Sequence, residues 1–412
     1  MSGFLLDVRP LSNAAFRRLW AGQGVSLIGF QLTAVAVPVQ VYDLTRSSFW
    51  VGALGVVGLV PLIIFGLWGG AVADHMDRRL LLVVSSCVGW VSTLALFVQA
   101  LFDLDQLWLI MVCVGVQSTG FAITSPTRGA IIPRLLPMEL VQPANTLNFT
   151  LTQASTLLGP LLAGAVLVRW SFAVAYAIDA VLFTAGLYAA LRLPALPPLG
   201  QVQGRPGLRS VVQGLGYLVG RPVLMMSFVV DIIAMGIGLP RAVFPELAET
   251  RFGGAAAVGW LYAAIGIGGL AGGLISGWMG RVRRQGIALV CAIVCWGLAV
   301  AAAGLVGRLW LAVLLLAVGG AADLVSGVFR QTILQTYAPD EMRGRLQGVF
   351  IVVVAGGPRL GDLRAGATAA LAGATVSWVG GGIACAVLVV VVSLFVPSFL
   401  RYEYDPHHPR RS

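Results

Sequence analysis

The sequence predicts an all-α integral membrane protein with twelve transmembrane helices in two pseudo-symmetric six-helix bundles, and three observations carry that prediction. The first is composition: of 412 residues, 58% are hydrophobic and 11% charged, against roughly 25% charged in soluble domains. Mean hydropathy is +0.90, as expected of a chain built to dissolve in lipid. The second is a series of twelve apolar runs of about 20 residues or more, the length that crosses a bilayer as a helix. The third is repetition. Arg128, Ile131, Pro137 and Glu139, at the end of the fourth run, recur at a constant offset as Arg330, Ile333, Pro339 and Glu341 at the end of the tenth.

The runs lie near 19–42, 49–73, 80–102, 107–130, 141–168, 172–193, 223–248, 257–279, 286–306, 309–332, 344–370 and 375–397. They divide the chain into an N-terminal bundle (1–193), a linker (194–222), a C-terminal bundle (223–397) and a tail (398–412). The first run is longer than a signal-peptide core and no small-residue cleavage pattern follows it, so it is expected to remain as a span. An even number of spans puts both termini on one side. With the N-terminus inside, inner segments hold most of the arginines, while outer loops hold only Arg46, Arg169, Arg241, Arg251 and Arg308. The positive-inside rule therefore predicts a multi-pass protein of the plasma (inner) membrane with cytoplasmic termini. In the linker, Leu208, Val211, Val212, Leu215 and Leu218 keep helical spacing between Arg205 and Arg221, which predicts a surface helix on the cytoplasmic leaflet. Two repeated halves of this kind imply a central site at their interface and alternating access by rocking.

Composition also excludes. The net charge of +10 is spread singly between spans rather than massed on one face, so no nucleic-acid partner is expected. All 27 basic residues are arginine, which removes the lysine that a G-x-x-x-x-G-K-[ST] nucleotide loop requires. Cys87, Cys113, Cys291, Cys295 and Cys385 all lie in apolar runs without metal-ligand spacing and read as small core hydrophobes. Of the histidines, His75 lies between spans two and three, and His407 and His408 lie in the polar tail. No catalytic cluster, cofactor or metal is expected; the partners expected are a small-molecule substrate, protons and the bilayer, with the chain acting as a monomer.

The loop between the second and third runs carries Gly70, Asp74, Asp77, Arg78 and Arg79. Taken alone, Arg78 and Arg79 are ordinary positive-inside anchors. Together with Gly70 and Asp74 they have the spacing G-x-x-x-D-x-x-x-R-R, which resembles the signature loop between helices 2 and 3 of the major facilitator superfamily. Here His75 stands where that family usually has a basic residue, and Asp77 where it usually has a second glycine. The resemblance implies the major facilitator fold and a gating role for Asp74, which would cap a neighbouring helix N-terminus in one state and release it in the other; a carboxylate is stabilised at that end of a helix dipole. Arg128 and Arg330, at corresponding ends of spans four and ten, join Asp77, Arg78 and Arg79 as gating candidates. In the second copy of the loop, Gly277 replaces the aspartate.

An ionisable residue inside a span costs about 2.5–3.5 kcal/mol on insertion scales, so it needs a partner or a task. Asp179 in span six and Asp231 in span seven each lie about 12 Å from the helix start, near the midplane, and Asp323 in span ten lies deeper toward the cytoplasm. A carboxyl withdrawn from water holds its proton more readily, which makes these three the proton-coupling candidates. Span eleven places Pro358, Arg359, Asp362 and Arg364 inside a membrane helix, with Arg359 about 22 Å from its start. Arg359 either pairs with Asp362 at i,i+3 or with Asp231, or else it faces a cavity and attracts an acidic ligand. Gln23, Gln31, Gln40, Gln117, Asn145, Asn148 and Gln153 add polar groups within spans. From these, Arg359, Asp362, Gln40, Gln117 and Asn148 form the expected substrate site.

In span five, Gly159, Pro160 and Gly164 permit close helix approach and a bend. They resemble the G-P-x-x-x-G core of the exporter motif in this superfamily, with Ser155 and Thr156 where a glycine usually lies. Val35 to Gln40, Leu261 to Ile265, Ser276-Gly277, Thr332 to Thr336, Pro339 and Gly344-Arg345 resemble the siderophore-exporter subfamily typified by enterobactin exporters. That resemblance spans nearly the whole chain and implies proton-driven export of a siderophore or a similar acidic secondary metabolite, for which Arg359 and Arg128 offer cationic contacts. Relatives in the same subfamily expel macrolides and other drugs, so multidrug efflux is the alternative function, followed by small-molecule import.

Overall fold

A computed structural model describes residues 7–73, 76–197, 216–276, 279, 282–337 and 340–403. Among them the regular structure is helical throughout. A 3₁₀ turn, Arg9–Ser12, leads into α1 (Ala14–Thr45), α2 (Ser48–Ala73), α3 (Arg78–Leu101), α4 (Leu107–Leu135), α5 (Met138–Arg169) and α6 (Phe172–Leu191). After the linker come α7 (Pro222–Gly236), a 3₁₀ turn (Arg241–Val243), α8 (Phe244–Arg251), α9 (Ala255–Leu274), α10 (Gln285–Leu305), α11 (Leu309–Tyr337), α12 (Asp340–Ala372), α13 (Ala374–Leu394) and the short α14 (Pro397–Leu400).

Eleven segments among the described residues are long and apolar enough to span a membrane, with Pro222–Arg251 counted as one. Helix α12 has 33 residues, ample length for a crossing, but Arg359, Asp362 and Arg364 lower its hydropathy. It carries the eleventh run read from the sequence, near 344–370, and with it the spans number twelve. Most of the predicted linker helix, at 198–215, lies outside the described residues, as do Asp74, His75, Gly277, Pro339 and the tail from 404, including His407 and His408. Residues 216–219 are helical.

The chain forms two compact units: residues 1–44 with 57–207, and residues 45–56 with 208–412. Helix α2 contributes its first part to the second unit and the remainder to the first.

In the first unit, Asn13 starts α1 by accepting the backbone N–H groups of Ala15 and Phe16, both at 3.0 Å, which satisfies donors that have no partner within the helix. Its amide also donates to the Leu135 carbonyl at 2.9 Å, fixing α1 to the end of α4. Helix α3 packs on α4 and α6. Along the α1–α6 seam the chains nearly touch: a Cβ at Gly22 would lie 2.6 Å from the Ala185 carbonyl oxygen, and one at Gly29 would lie 2.5 Å from Asp179 Oδ1. Small residues at such seams let membrane helices gain dispersion contacts where no hydrophobic drive operates.

In the second unit, α9 packs on α11, and α10 on both α11 and α13. Cβ atoms at Gly268 and Gly320 would run into the carbonyls of Ala317 and Ile265. The first part of α2 meets α12 in the same way, with Gly52 and Gly55 against the carbonyls of Asp362 and Arg359. Gly253 and Gly254 turn the chain into α9 with φ of 92° and 95°, angles at which an L side chain is strained.

The cysteine expectation is corrected. Cys113 and Cys385 are buried and Cys87 is half-buried, but Cys291 and Cys295 are exposed on α10. In a membrane protein the outer surface is apolar too, so an apolar run does not separate core from lipid-facing positions. Leu274 and Leu371, each 90% exposed, make the same point.

Candidate functional site

In the second unit, Asp231 on α7 and Arg330 on α11 form an ion pair between Asp231 Oδ1 and Arg330 Nη1, with both side chains less than a tenth exposed. The other guanidinium nitrogen, Nη2, lies 3.8 Å from Asp323 Oδ1, two turns earlier on α11. Two carboxylates thus share one cation, and Arg330 Nε also reaches the Ser326 carbonyl at 3.4 Å. Two charged residues of α12 find partners within the same unit. Asp362 pairs with Arg241 at 3.4 Å, and Arg364 donates to the carbonyls of Ser377 and Leu239 at 3.1 and 3.2 Å. Arg359 contributes its carbonyl to the contact with Gly55.

In the first unit, Asp179 on α6 is fully buried and accepts the hydroxyls of Thr33 at 2.6 Å and Thr93 at 3.4 Å on the same oxygen, Oδ2. Gln117 donates to Thr93 at 3.3 Å. Beside this network Gln40 exchanges amide hydrogen bonds with Gln99, at 3.0 and 3.4 Å, and accepts the Tyr176 hydroxyl at 2.7 Å. Gln40 is therefore committed to neighbouring helices.

The same unit holds a cavity of about 370 Å³, lined by faces of α1, α3, α4, α5 and α6, within the range of roughly 300–1,000 Å³ typical of ligand sites. Helix α4 presents Gln117, Phe121, Thr124 and Arg128 to it, and these fall on one stripe at i, i+4, i+7 and i+11. Helix α1 adds Trp20, Gln23 and Phe30, and α5 adds Asn145, Asn148 and Thr152. The Phe30 and Phe121 rings stack with centroids 5.7 Å apart and planes 10° apart.

At the start of α3, Asp77 accepts the backbone N–H groups of Arg79 at 2.7 Å and Leu80 at 3.3 Å, and its second oxygen accepts that of Leu196 at 2.9 Å. Arg78 donates to the Ala130 carbonyl at 2.8 Å and Arg79 to the Leu191 carbonyl at 2.7 Å. The loop thereby ties α3 to the ends of α4 and α6. Gly70 belongs to α2, and Asp74 lies outside the described residues. On α5, a Cβ at Gly159 would clash with Gln31 of α1, and Pro160 and Gly164 are buried beside it.

A family described as transmembrane secretion effector matches residues 7–408. The chain belongs to that family, within the major facilitator superfamily. The chain is 28% identical over 407 residues, covering 98% of its length and 97% of theirs, to the enterobactin exporters of Shigella boydii serotype 18 and Escherichia coli O81. In fold it is similar to the nucleoside transporter NupG (TM-score 0.74, 14% identity, covering 94% of this chain and 99% of that one) and to a D-xylose–proton symporter (TM-score 0.73, 14% identity, 94% and 99%). It is a multi-pass secondary transporter and its family is not one of enzymes.

Two of the chain's ionisable groups have partners that spacing along one helix does not indicate. Asp231 takes Arg330 as its ion partner, and Asp362 takes Arg241. Arg128 and Arg330, grouped with the gate in the sequence, lie in the cavity wall and the ion cluster. Of the substrate residues expected from the sequence, Gln117 and Asn148 line the cavity, as do Gln23 and Asn145, whereas Arg359 and Asp362 belong to the other unit. Sequence reasoning passed over Trp20, Phe30, Phe121, Thr33, Thr93, Gln99 and Tyr176. The stripe from Gln117 to Arg128 was the available signal, since it sets polar, aromatic and cationic groups on one face of an apolar helix.

Proposed function

We propose that this secondary transporter exports a siderophore or similar acidic secondary metabolite from the cytoplasm across the bacterial inner membrane, with both termini cytoplasmic, in exchange for protons. The observation that carries the coupling is the ion cluster in which Asp231 and Arg330 are buried and the half-buried Asp323 faces the same guanidinium. A guanidinium keeps its charge at any physiological pH, so a proton entering the cluster resides on a carboxylate and weakens the pair that joins α7 to α11. A contact with two discrete arrangements, made and broken by a proton, is the element that alternating access needs. The loop of Asp77, Arg78 and Arg79 with Asp74 serves as the cytoplasmic gate, and the full-length similarity to enterobactin exporters supports the direction and substrate class.

The test is the extracellular metabolite profile of a deletion strain grown without iron and complemented with wild type, Asp231→Asn, or Asp231→Asn with Arg330→Gln. Loss of a secreted siderophore on deletion, its return with wild type, and no return with the charge-neutral double variant at equal membrane abundance are expected. An unchanged profile on deletion sinks the siderophore reading and leaves multidrug efflux, to be scored by drug susceptibility of the same strains. Full restoration by the double variant sinks the coupling role.

A further inference from the structure

Three buried polar atoms around the cavity of the first unit have no hydrogen-bond partner among the described residues: Trp20 Nε1, Arg128 Nε and Asn148 Oδ1. All three residues line that cavity. Buried polar groups are nearly always paired, because an unpaired one costs about 1–3 kcal/mol, so three orphans around one space point to a ligand that pairs them. Two are N–H donors and one of these belongs to a permanent cation, so the matching group is an acidic oxygen. An amide oxygen on Asn148 accepts a hydroxyl, and the flipped amide donates. The wall also holds four phenylalanines among polar and aliphatic residues, with the stacked Phe30 and Phe121 joined by Phe16 and Phe183. Ring faces of this kind hold flat aromatic groups by offset stacking, which a puckered ring of equal volume cannot match.

We infer that this cavity is a binding subsite for a planar aromatic ring bearing an acidic oxygen, with Arg128 and Trp20 on the oxyanion, Phe30 and Phe121 against the ring, and Asn148 on a ring hydroxyl. The inference deepens the export reading, on which it rests for the ligand's fate, by naming the chemistry recognised. It also gives Arg128 a task that needs no second protein group, since the ligand supplies the counter-charge. A buried cation is stabilised by a desolvated oxyanion far more than by a neutral ring.

Isothermal titration of the purified full-length protein with three probes tests this: salicylate, its uncharged analogue salicylamide, and cyclohexanecarboxylate, which keeps the acid and loses the flat ring. Salicylate is expected to bind about three- to tenfold tighter than either, as one charge-assisted contact or one aromatic stack implies. Arg128→Gln should abolish the preference for salicylate over salicylamide while leaving salicylamide unchanged, and Phe121→Leu should abolish the preference over cyclohexanecarboxylate. Equal binding of salicylate and salicylamide by wild type overturns the inference, and that comparison stands even where a variant fails to fold. So does a preference that survives Arg128→Gln, or no heat with any probe. An Arg128-dependent preference in a protein whose deletion leaves secretion unchanged would keep the subsite and sink export; siderophore export with no Arg128 dependence of binding would do the reverse.

Discussion

Asp231 and Arg330 bind each other in the interior of the second unit, where α7 meets α11, and Asp323 stands 3.8 Å from the same guanidinium. Removing one partner of a buried pair strands the other charge, at about 3–5 kcal/mol. Arg330→Gln and Asp231→Asn should therefore each lower stability in detergent by that order. The double variant should recover part of the loss, because neither buried member of the pair is left charged and only the half-buried Asp323 loses its cation. Chemical unfolding of the four proteins gives the coupling free energy; strictly additive losses would show the pair to be inert.

The pair of Arg46 with Glu249, at 2.5 and 2.6 Å, is geometrically better than many and still should matter little. Its side chains are 61% and 47% exposed, and exposed pairs contribute about 0–1 kcal/mol and are screened by salt. Glu249→Gln should shift unfolding by no more than that, and the shift should vanish in high salt. A loss that persists at high salt would contradict it.

Asp77 closes the N-terminus of α3 with one oxygen and holds Leu196 with the other. Asp77→Ala should cost about 0.5–2 kcal/mol, the usual value of a cap, and should speed amide hydrogen exchange at Arg79, Leu80 and Leu196 together. Faster exchange at Arg79 and Leu80 alone would mean that the tie to Leu196 is not sustained in solution.

Gly320 lies against the Ile265 carbonyl, so Gly320→Ala forces α9 and α11 apart and should cost about 1–3 kcal/mol, as overpacking does. A Cβ at Gly307 would meet no atom within 4 Å, and Gly307→Ala should be nearly neutral. Thermal unfolding of both variants checks the contrast, which is lost if the two behave alike.

Hydropathy made the spans legible because a helix must cover about 30 Å of hydrocarbon, and that length leaves an unmistakable run in the sequence. The same hydropathy hid the cavity. Phe30 and Phe121 in an apolar span read alike whether they face lipid, a helix or a ligand, as Cys291 and Cys295 also demonstrate. Charge gave partial sight: Asp179, Asp231, Asp323 and Arg330 each stood out as costly, but which cation answers which carboxylate depends on how α7 and α11 pack. The i,i+3 spacing of Arg359 and Asp362 pointed along one helix, and nothing in that spacing indicated that Asp362 also meets Arg241 outside it. Asp77 was read as part of the gating loop, and its place as the first cap of α3 came from the backbone around it.

With Arg330 permanently cationic, the cluster of Asp231, Asp323 and Arg330 carries one positive and at most two negative charges. Fully ionised it is an anion embedded in the membrane's electric field, and with one proton bound it is neutral. A charge carried through the whole field changes energy by about 2.3 kcal/mol per 100 mV. Only the unprotonated form feels that voltage, so under the proton exchange proposed above the membrane potential would act on the step taken after the proton has left.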